Sequence, residues 1–271
     1  MSVRPIARAE TWSVSEIVCR AGPGDRSYEE RHEGFSIAAV LEGSFTYRAD
    51  SGANLLYPGA LLLGSHRVCY QCGHEHSRGD RCISFNLRED LFEEIASAAV
   101  TSRRRSLGQP MLPASHRLTP LLAAIERLSR RGTSRLEAEA LLVELVETVV
   151  GALNDGIRAP PAPQGWETRR LIEVLRLIDE CPEEAADLAA LASKAGLGKH
   201  HFLRVFRRFV GMTPHQYVLR ARMALAARRL KSSNESILAV ALDSGFGDLS
   251  TFNARFRATF GTTPSKYRAA G

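Results

Sequence analysis

A cluster of ligand-forming side chains falls between positions 66 and 82, and includes His66, Cys69, Cys72, His74, His76, Asp80 and Cys82. Thiolates and imidazoles at this density are the donor set of a soft or borderline ion such as zinc or copper(I). Cys72, His74 and His76 alternate, so on a strand their side chains share one face. With Cys82 they form the predicted metal-ligand set, and a zinc or copper ion is the cofactor such a set could hold. The same cluster is redox-active if Arg78, Arg81 or a histidine stabilises one thiolate. A plainer reading makes the cysteines small apolar core residues on two strands joined by a polar turn. The residues alone leave all three readings open.

A second set of reactive side chains is built for recognition. Comparison of the C-terminal region with itself reveals a repeat. Asp187, Ala192, Gly196 and Leu197 are echoed 49 residues later by Ser236, Ala241, Gly245 and Phe246. After a one-residue insertion, Phe202, Phe206, Arg207, Gly211, Thr213, Pro214 and Tyr217 recur 50 residues later as Phe252, Phe256, Arg257, Gly261, Thr263, Pro264 and Tyr267. Each position has a task. Asp187 and Ser236 cap a first helix, Ala192 and Ala241 allow a second helix to cross closely, and Gly196 and Gly245 end the first helix in a left-handed conformation. Helix, glycine turn, helix is the helix-turn-helix pattern, whose second helix enters the major groove of DNA. Phe202, Phe206 and Phe209 lie on the buried side of that helix, as do Phe252, Phe256 and Phe260 in the second unit. The opposite faces then offer His200, Leu203, Arg204 and Arg207, and Leu249, Ser250, Asn253, Ala254 and Arg257.

The charge distribution agrees. The net +6 of the 271 residues is divided unevenly, with residues 1–166 at −1 and residues 167–271 at +7. From Lys194 onward there are 14 basic residues and three acids. A basic end suits a polyanion, because each neutralised phosphate releases a condensed counterion.

The elements that must position these residues follow from periodicity. Residues 12–87 read as short strands, including Ser36–Leu41, Ser44–Tyr47 and Cys82–Phe85, separated by Glu42-Gly43, Asp50-Ser51-Gly52, Pro58-Gly59, Gly64 and Gly79-Asp80. Short strands with regular turns predict a small antiparallel barrel or sandwich. A helix begins near Leu91, Phe92 and Ile95, and apolar residues at three- and four-residue steps predict two more over 116–131 and 135–154. Their apolar faces either pack on the barrel or serve self-association. Three prolines in four residues within 155–165 cannot continue a helix and predict a stiff linker. Thr213-Pro214 starts a helix through about Lys231, whose length of roughly 27 Å sets the two recognition helices about one DNA turn apart, roughly 34 Å.

At these residues the chain resembles a family. The stretch from Trp166 to Tyr267 is similar to the DNA-binding domain of AraC/XylS-type bacterial regulators, most specifically over Ala241–Phe256 and on through Phe260-Gly261 and Pro264 to Arg268. Residues 30–87, with Pro58-Gly59 followed by His66, resemble more loosely the cupin-like sensor domain many of these regulators carry. The resemblance implies an α+β protein of two domains. A cupin-like small antiparallel β-barrel with trailing helices, 1–154, would sense and dimerise. The linker 155–165 would lead to an all-α tandem helix-turn-helix domain, 166–271. By this analogy the base-reading positions are His200, Leu203 and Arg204, then Leu249, Ser250, Asn253 and Ala254. Ala254 can at most touch a thymine methyl, and Arg204 suits guanine O6/N7. Lys199, Arg208, Arg257 and Lys266 are better placed for phosphates.

The expected function is therefore a sequence-specific transcription regulator answering a small-molecule, metal or redox signal, with promoter DNA, RNA polymerase and a second copy of itself as partners. The competing reading is a metal-dependent cupin enzyme, or a zinc-thiolate alkyl-transfer protein with accessory DNA binding. No complete catalytic constellation supports that reading, since no His-Glu-x-x-His helix, phosphate loop or nucleophile elbow occurs. No apolar run approaches the length of a membrane span. Residues 1–8 lack the apolar core of a secretory signal, and five unevenly spaced cysteines suit a reducing compartment, so the expected location is the cytoplasm.

Overall fold

The computed structural model describes the chain apart from residues 28, 51, 75–78, 100–106, 130–132, 162–165, 186 and 270–271. Nine strands come first: β1 (Ser2–Arg8), β2 (Trp12–Cys19), β3 (Glu29–Arg31), β4 (Phe35–Gly43), β5 (Phe45–Ala49), β6 (Gly52–Leu56), β7 (Leu61–Gly64), β8 (Cys69–Gly73) and β9 (Asp80–Leu87). Helix α1 (Glu89–Ala99) and strand β10 (Met111–Leu112) follow. The strands pair antiparallel in two sheets, ordered β1-β2-β9-β4-β7-β10 and β3-β8-β5-β6. Each order runs from one edge to another, so the predicted closed barrel is corrected to two open sheets. The reason lies at the end of β4. Its ladder with β9 shifts register between Val40 and Glu42 and ends at Gly43, and β5 starts two residues later in the other sheet. The sequence pattern had also missed the edge strands β1 and β10.

β4 lies inside the larger sheet, and Phe35 through Val40 are all buried, the continuous pattern of a strand covered on both faces. Phe35 stacks on Phe92 of α1 with ring centroids 3.9 Å apart, which puts that helix on the sheet. The helix expected over 116–131 is a short 3₁₀ turn, His116–Leu118, followed by α2 (Thr119–Arg127); residues 130 and 131 lie outside the described residues. Helix α3 (Arg135–Asn154) has the predicted limits and starts from Ser134, whose hydroxyl accepts from the Glu137 amide at 3.1 Å. Its apolar stripe, Ala138, Leu141, Leu142, Leu145, Val146, Val149, Val150 and Leu153, is buried within the chain. Residues 155–161 are not helical. The Asn54 amide donates to the Pro160 carbonyl at 2.6 Å and the Ala159 amide to Gln109 Oε1 at 3.1 Å, so this stretch is held down.

Seven helices complete the chain: α4 (Trp166–Glu180), α5 (Leu188–Lys194), α6 (Lys199–Val210), α7 (Pro214–Ser232), α8 (Ile237–Asp243), α9 (Leu249–Phe260) and α10 (Pro264–Ala269). The molecule divides into two compact units, Met1–Ala114 with Ala124–Thr168, and Ser115–Ala123 with Arg169–Gly271. The five cysteines are free thiols. Among the described residues no helix is long and apolar enough to cross a membrane.

Candidate nucleic-acid interface

The two repeated sequences fold alike. Asp187 caps α5, accepting from the amides of Ala189 and Ala190 at 3.0 and 3.3 Å; Ser236 caps α8, accepting from Ala239 at 3.0 Å. Each such cap is worth about 1 kcal/mol. The turns then pass through Gly196 at φ +60° and Gly245 at φ +85°, where a side chain would be strained. Ala192 and Ala241 are both buried.

The second helix of each unit is fixed by its phenylalanines. Phe202 and Phe206 meet at 5.5 Å, and Phe206 meets Tyr217 of α7 edge-on at 5.7 Å. The second unit repeats this: Phe252 and Phe256 at 5.5 Å, and Phe256 against Tyr267 of α10 edge-on at 5.3 Å. Val205 and Val210 join the buried side of α6, whereas Phe260 is only half-buried against the second unit's core. With these rings inward, α6 presents Lys199, His200, Arg204, Arg207 and Arg208 to solvent, with Leu203 half-buried. Helix α9 presents Ser250, Ala254 and Arg257, with Leu249 and Asn253 half-buried, and Lys266 is exposed on α10. Among the described residues, none of the six lysines and arginines named here has a carboxylate partner. By contrast Arg229 is occupied, with Glu235 at 2.8 Å and Asp243 at 2.7 Å.

Helix α7 joins the two units. Thr213 and Gln216 form a reciprocal capping box at its start, with Pro214 at the first helical position. Asp179 of α4 accepts from Tyr217 Oη at 2.7 Å and from Arg220 at 3.2 Å, which ties α7 to α4. Burial pushes the Asp179 carboxyl up to about 6, against the pull of Arg220 and the Tyr217 hydroxyl. Two arginines not singled out by the sequence reading hold the turns. Arg170 of α4 donates to the carbonyls of Ala195 and Gly196, both at 3.1 Å. Arg222 of α7 donates to Gly245 O at 2.6 Å, Pro182 O at 2.8 Å and Glu183 O at 3.0 Å. The available signal is one guanidinium group for each glycine turn, on the helix before the one that the turn ends.

The Cys/His cluster is arranged differently from its sequence pattern. β8 ends at Gly73, so His74 lies beyond the strand, and His76 lies outside the described residues. Cys72 is on the smaller sheet, opposite Tyr47, while Cys82 is on the larger one, opposite Ile17. Burial raises the Cys72 thiol to about 12, and burial beside Asp80 raises Cys82 strongly as well. Burial works against the thiolate form at both positions, the opposite of what an activated redox cysteine needs. His74 Nε2 sits 2.6 Å from Asp80 Oδ2, and Cys82 Sγ is 3.3 Å from the other carboxylate oxygen. Elsewhere in the N-terminal unit, Arg31, His32, Glu33, His66 and Arg67 line a cavity of about 480 Å³.

Two short helices around a glycine turn, repeated with a helix between, define a tandem helix-turn-helix DNA-binding module. A helix-turn-helix domain model matches residues 191–270. The probable transcription factor PqrA of Proteus vulgaris is 39% identical over 88 residues, covering 32% of this chain and 72% of that protein. The transcriptional activator AarP of Providencia stuartii is 35% identical over 103 residues, covering 38% and 76%. Other relatives are longer, and the matched region spans 36%, 41% and 34% of three of them. Among solved structures, the DNA-binding domain of AdpA in complex with a target DNA is similar at 34% identity, covering 37% of this chain and 91% of that one, with a TM-score of 0.36. The chain belongs to the AraC/XylS family of transcription regulators and is a DNA-binding protein.

Proposed function

We propose that one chain reads two successive major grooves on one side of a promoter, with α6 in the first and α9 in the second. The observation that carries this is the matched pair of helices, each with its aromatic side locked inward and its polar side in solvent, joined by α7. At 19 residues α7 is about 28 Å long, which suits a separation of one DNA turn. His200, Leu203 and Arg204, then Leu249, Ser250, Asn253 and Ala254, face the base edges in this reading. Lys199, Arg207, Arg208, Arg257 and Lys266 neutralise phosphates and set the register.

The rest of the assignment extends this reading. Residues 1–154 form a sensor and dimerisation domain, 155–165 a linker and 166–271 the DNA-binding domain. The sensor takes a small-molecule or ion effector, and the cavity beside His32 and His66 supports a small molecule. Burial of the α3 stripe, and of Leu121, Leu122 and Ile125 of α2, leaves a sheet face for the homodimer contact. The regulator works in the cytoplasm as an activator that contacts RNA polymerase. Random-sequence DNA selection with the full-length protein tests the core of this proposal. A bipartite motif with half-sites about one helical turn apart is the expected outcome. Salt-sensitive retention of DNA with no common motif would reduce the C-terminal unit to a non-specific anchor and refute it.

A further inference from the structure

Strand pairing brings Cys19 to two ligand-forming side chains, His74 and Asp80, that lie 55 and 61 residues further along the sequence. Cys19, the last residue of β2, is the register partner of Asp80, the first residue of β9. His74 reaches the same place from the end of β8. One ligand atom from each of Cys19, His74 and Asp80 lies within 4.8 Å of the other two. The His74 and Asp80 side chains are only 4% and 8% exposed, while Cys19 is half-buried. The backbone is shaped for this approach. Gly79 has φ +74°, and a Cβ there would stand 2.3 Å from the Cys19 carbonyl oxygen, so only glycine lets the chain pass close enough to set Asp80 beside Cys19.

We propose that the N-terminal unit binds a zinc-class divalent cation through Cys19, His74 and Asp80. One thiolate, one imidazole and one carboxylate are the donors such an ion takes, and together they neutralise its charge. Bonds of about 2.0–2.3 Å on a tetrahedral ion separate the donor atoms by about 3.3–3.6 Å, inside the span already present. The His74–Asp80 contact, 2.6 Å, opens by under an ångström to admit the ion. Cys82 is a positioning residue. Its thiol lies against the second Asp80 oxygen and orients the carboxylate, as the outer shell of a metal site does. Three protein ligands leave a fourth position for water or a small ligand, on the side where Cys19 meets solvent. The site differs from the alternating set Cys72, His74, His76 and Cys82 read from the sequence. Cys19 enters from 55 residues upstream of His74, and Cys72, on the smaller sheet, is not in the group of donor atoms that lie within 4.8 Å of one another.

Cobalt titration of the reduced full-length protein, freed of metal with a chelator, tests the site without DNA. The expected result is one Co²⁺ per chain, a near-ultraviolet thiolate-to-cobalt band, visible bands of four-coordinate intensity, and displacement of cobalt by Zn²⁺. Cys19→Ser should remove the charge-transfer band. His74→Gln and Asp80→Asn should each weaken binding by at least about tenfold, the lower end of what loss of even an outer-shell partner costs. Cys69→Ser should keep the band at unchanged affinity, whereas Cys82→Ala should keep the band but weaken binding by about tenfold, as loss of an outer-shell partner does. Circular dichroism of each variant separates loss of a ligand from loss of fold. Folded wild-type protein that takes up no stoichiometric metal overturns the proposal. So does uptake unchanged in Cys19→Ser, or a band lost in folded Cys82→Ala but kept in Cys19→Ser. Since no DNA is present, none of these outcomes bears on the groove-reading assignment.

Discussion

Arg222 Nη1 donates to the carbonyl oxygen of Gly245 at 2.6 Å, across 23 residues of sequence, and so fastens the linking helix to the turn of the second helix-turn-helix unit. The same guanidinium reaches Pro182 O and Glu183 O in the segment that enters the first unit. One side chain therefore joins α7 to both units and helps set the angle at which α6 and α9 are presented. Arg222→Ala should cost roughly 1.5–3 kcal/mol, the range for hydrogen bonds to a charged group. Arg222→Lys should recover only part of it, because an ammonium cannot reproduce a planar fork over three carbonyls. Urea unfolding checks the stability, and operator titration should reveal a larger loss of affinity for the two-site DNA than for an isolated half-site fragment.

Gly245 is the partner in that contact, and its replacement should fail for two reasons. At φ +85° an alanine carries a left-handed penalty of about 1–2 kcal/mol. Its Cβ would also lie 2.7 Å from Arg222 Nε and 2.8 Å from Glu183 Cα. Gly245→Ala and Arg222→Ala should therefore be non-additive, the double variant losing less than the sum. Additive losses in a double-mutant cycle would mean that the staple does not act through the turn.

The exposed face of α6 separates base reading from charge. Arg204→Ala should cost about 1–3 kcal/mol at one base position and relax preference there, as loss of a bidentate guanine contact does. Arg208→Ala or Lys266→Ala should weaken all sequences alike and flatten the salt dependence by about one unit of slope. Binding to an operator and to its point variants over a range of salt concentrations distinguishes the two behaviours.

The N-terminal unit should lose stability in mild acid because of His32. Its ring is buried, stacks on Tyr70 at 4.2 Å and lies 3.0 Å from Tyr47 Oη, and burial lowers its pKa from 6.5 to about 4. In the unfolded chain His32 takes a proton as pH falls through about 6.5, while the folded form refuses it until about 4. The unfolded state then holds more protons, so stability declines as pH drops across that window and levels off below it. The full effect is about 3 kcal/mol, less the part that water entering the site relieves. His32→Gln should lose this slope between pH 6.5 and 4 in urea midpoints taken at each pH; an unchanged slope would assign the acid sensitivity elsewhere.

Sequence periodicity carried most of the C-terminal unit, because its information is local. Caps at Asp187 and Ser236, turns at Gly196 and Gly245 and inward phenylalanines all act within one or two turns of helix. The N-terminal unit was legible only in outline. Whether strands close into a barrel depends on which edges meet, and neither the pairing of β1 with β2 nor the change of sheet after Gly43 is written in a local pattern. The same limit governs the candidate metal ligands. Alternation suggested Cys72, His74 and His76, but the partner of Asp80 is Cys19, supplied by the β2–β9 register from 61 residues away. Arg170 and Arg222 were hidden for a related reason: on a basic surface an arginine that caps a distant turn looks like one that waits for phosphate.

A spacing series on the selected operator tests the central claim most directly. If α7 holds α6 and α9 rigidly one turn apart, inserting about five base pairs between half-sites rotates one groove to the far side of the duplex. Affinity for that DNA should fall to the level of a single half-site, with protection confined to one groove. Undiminished affinity with both half-sites still protected would contradict rigid two-groove reading by one chain.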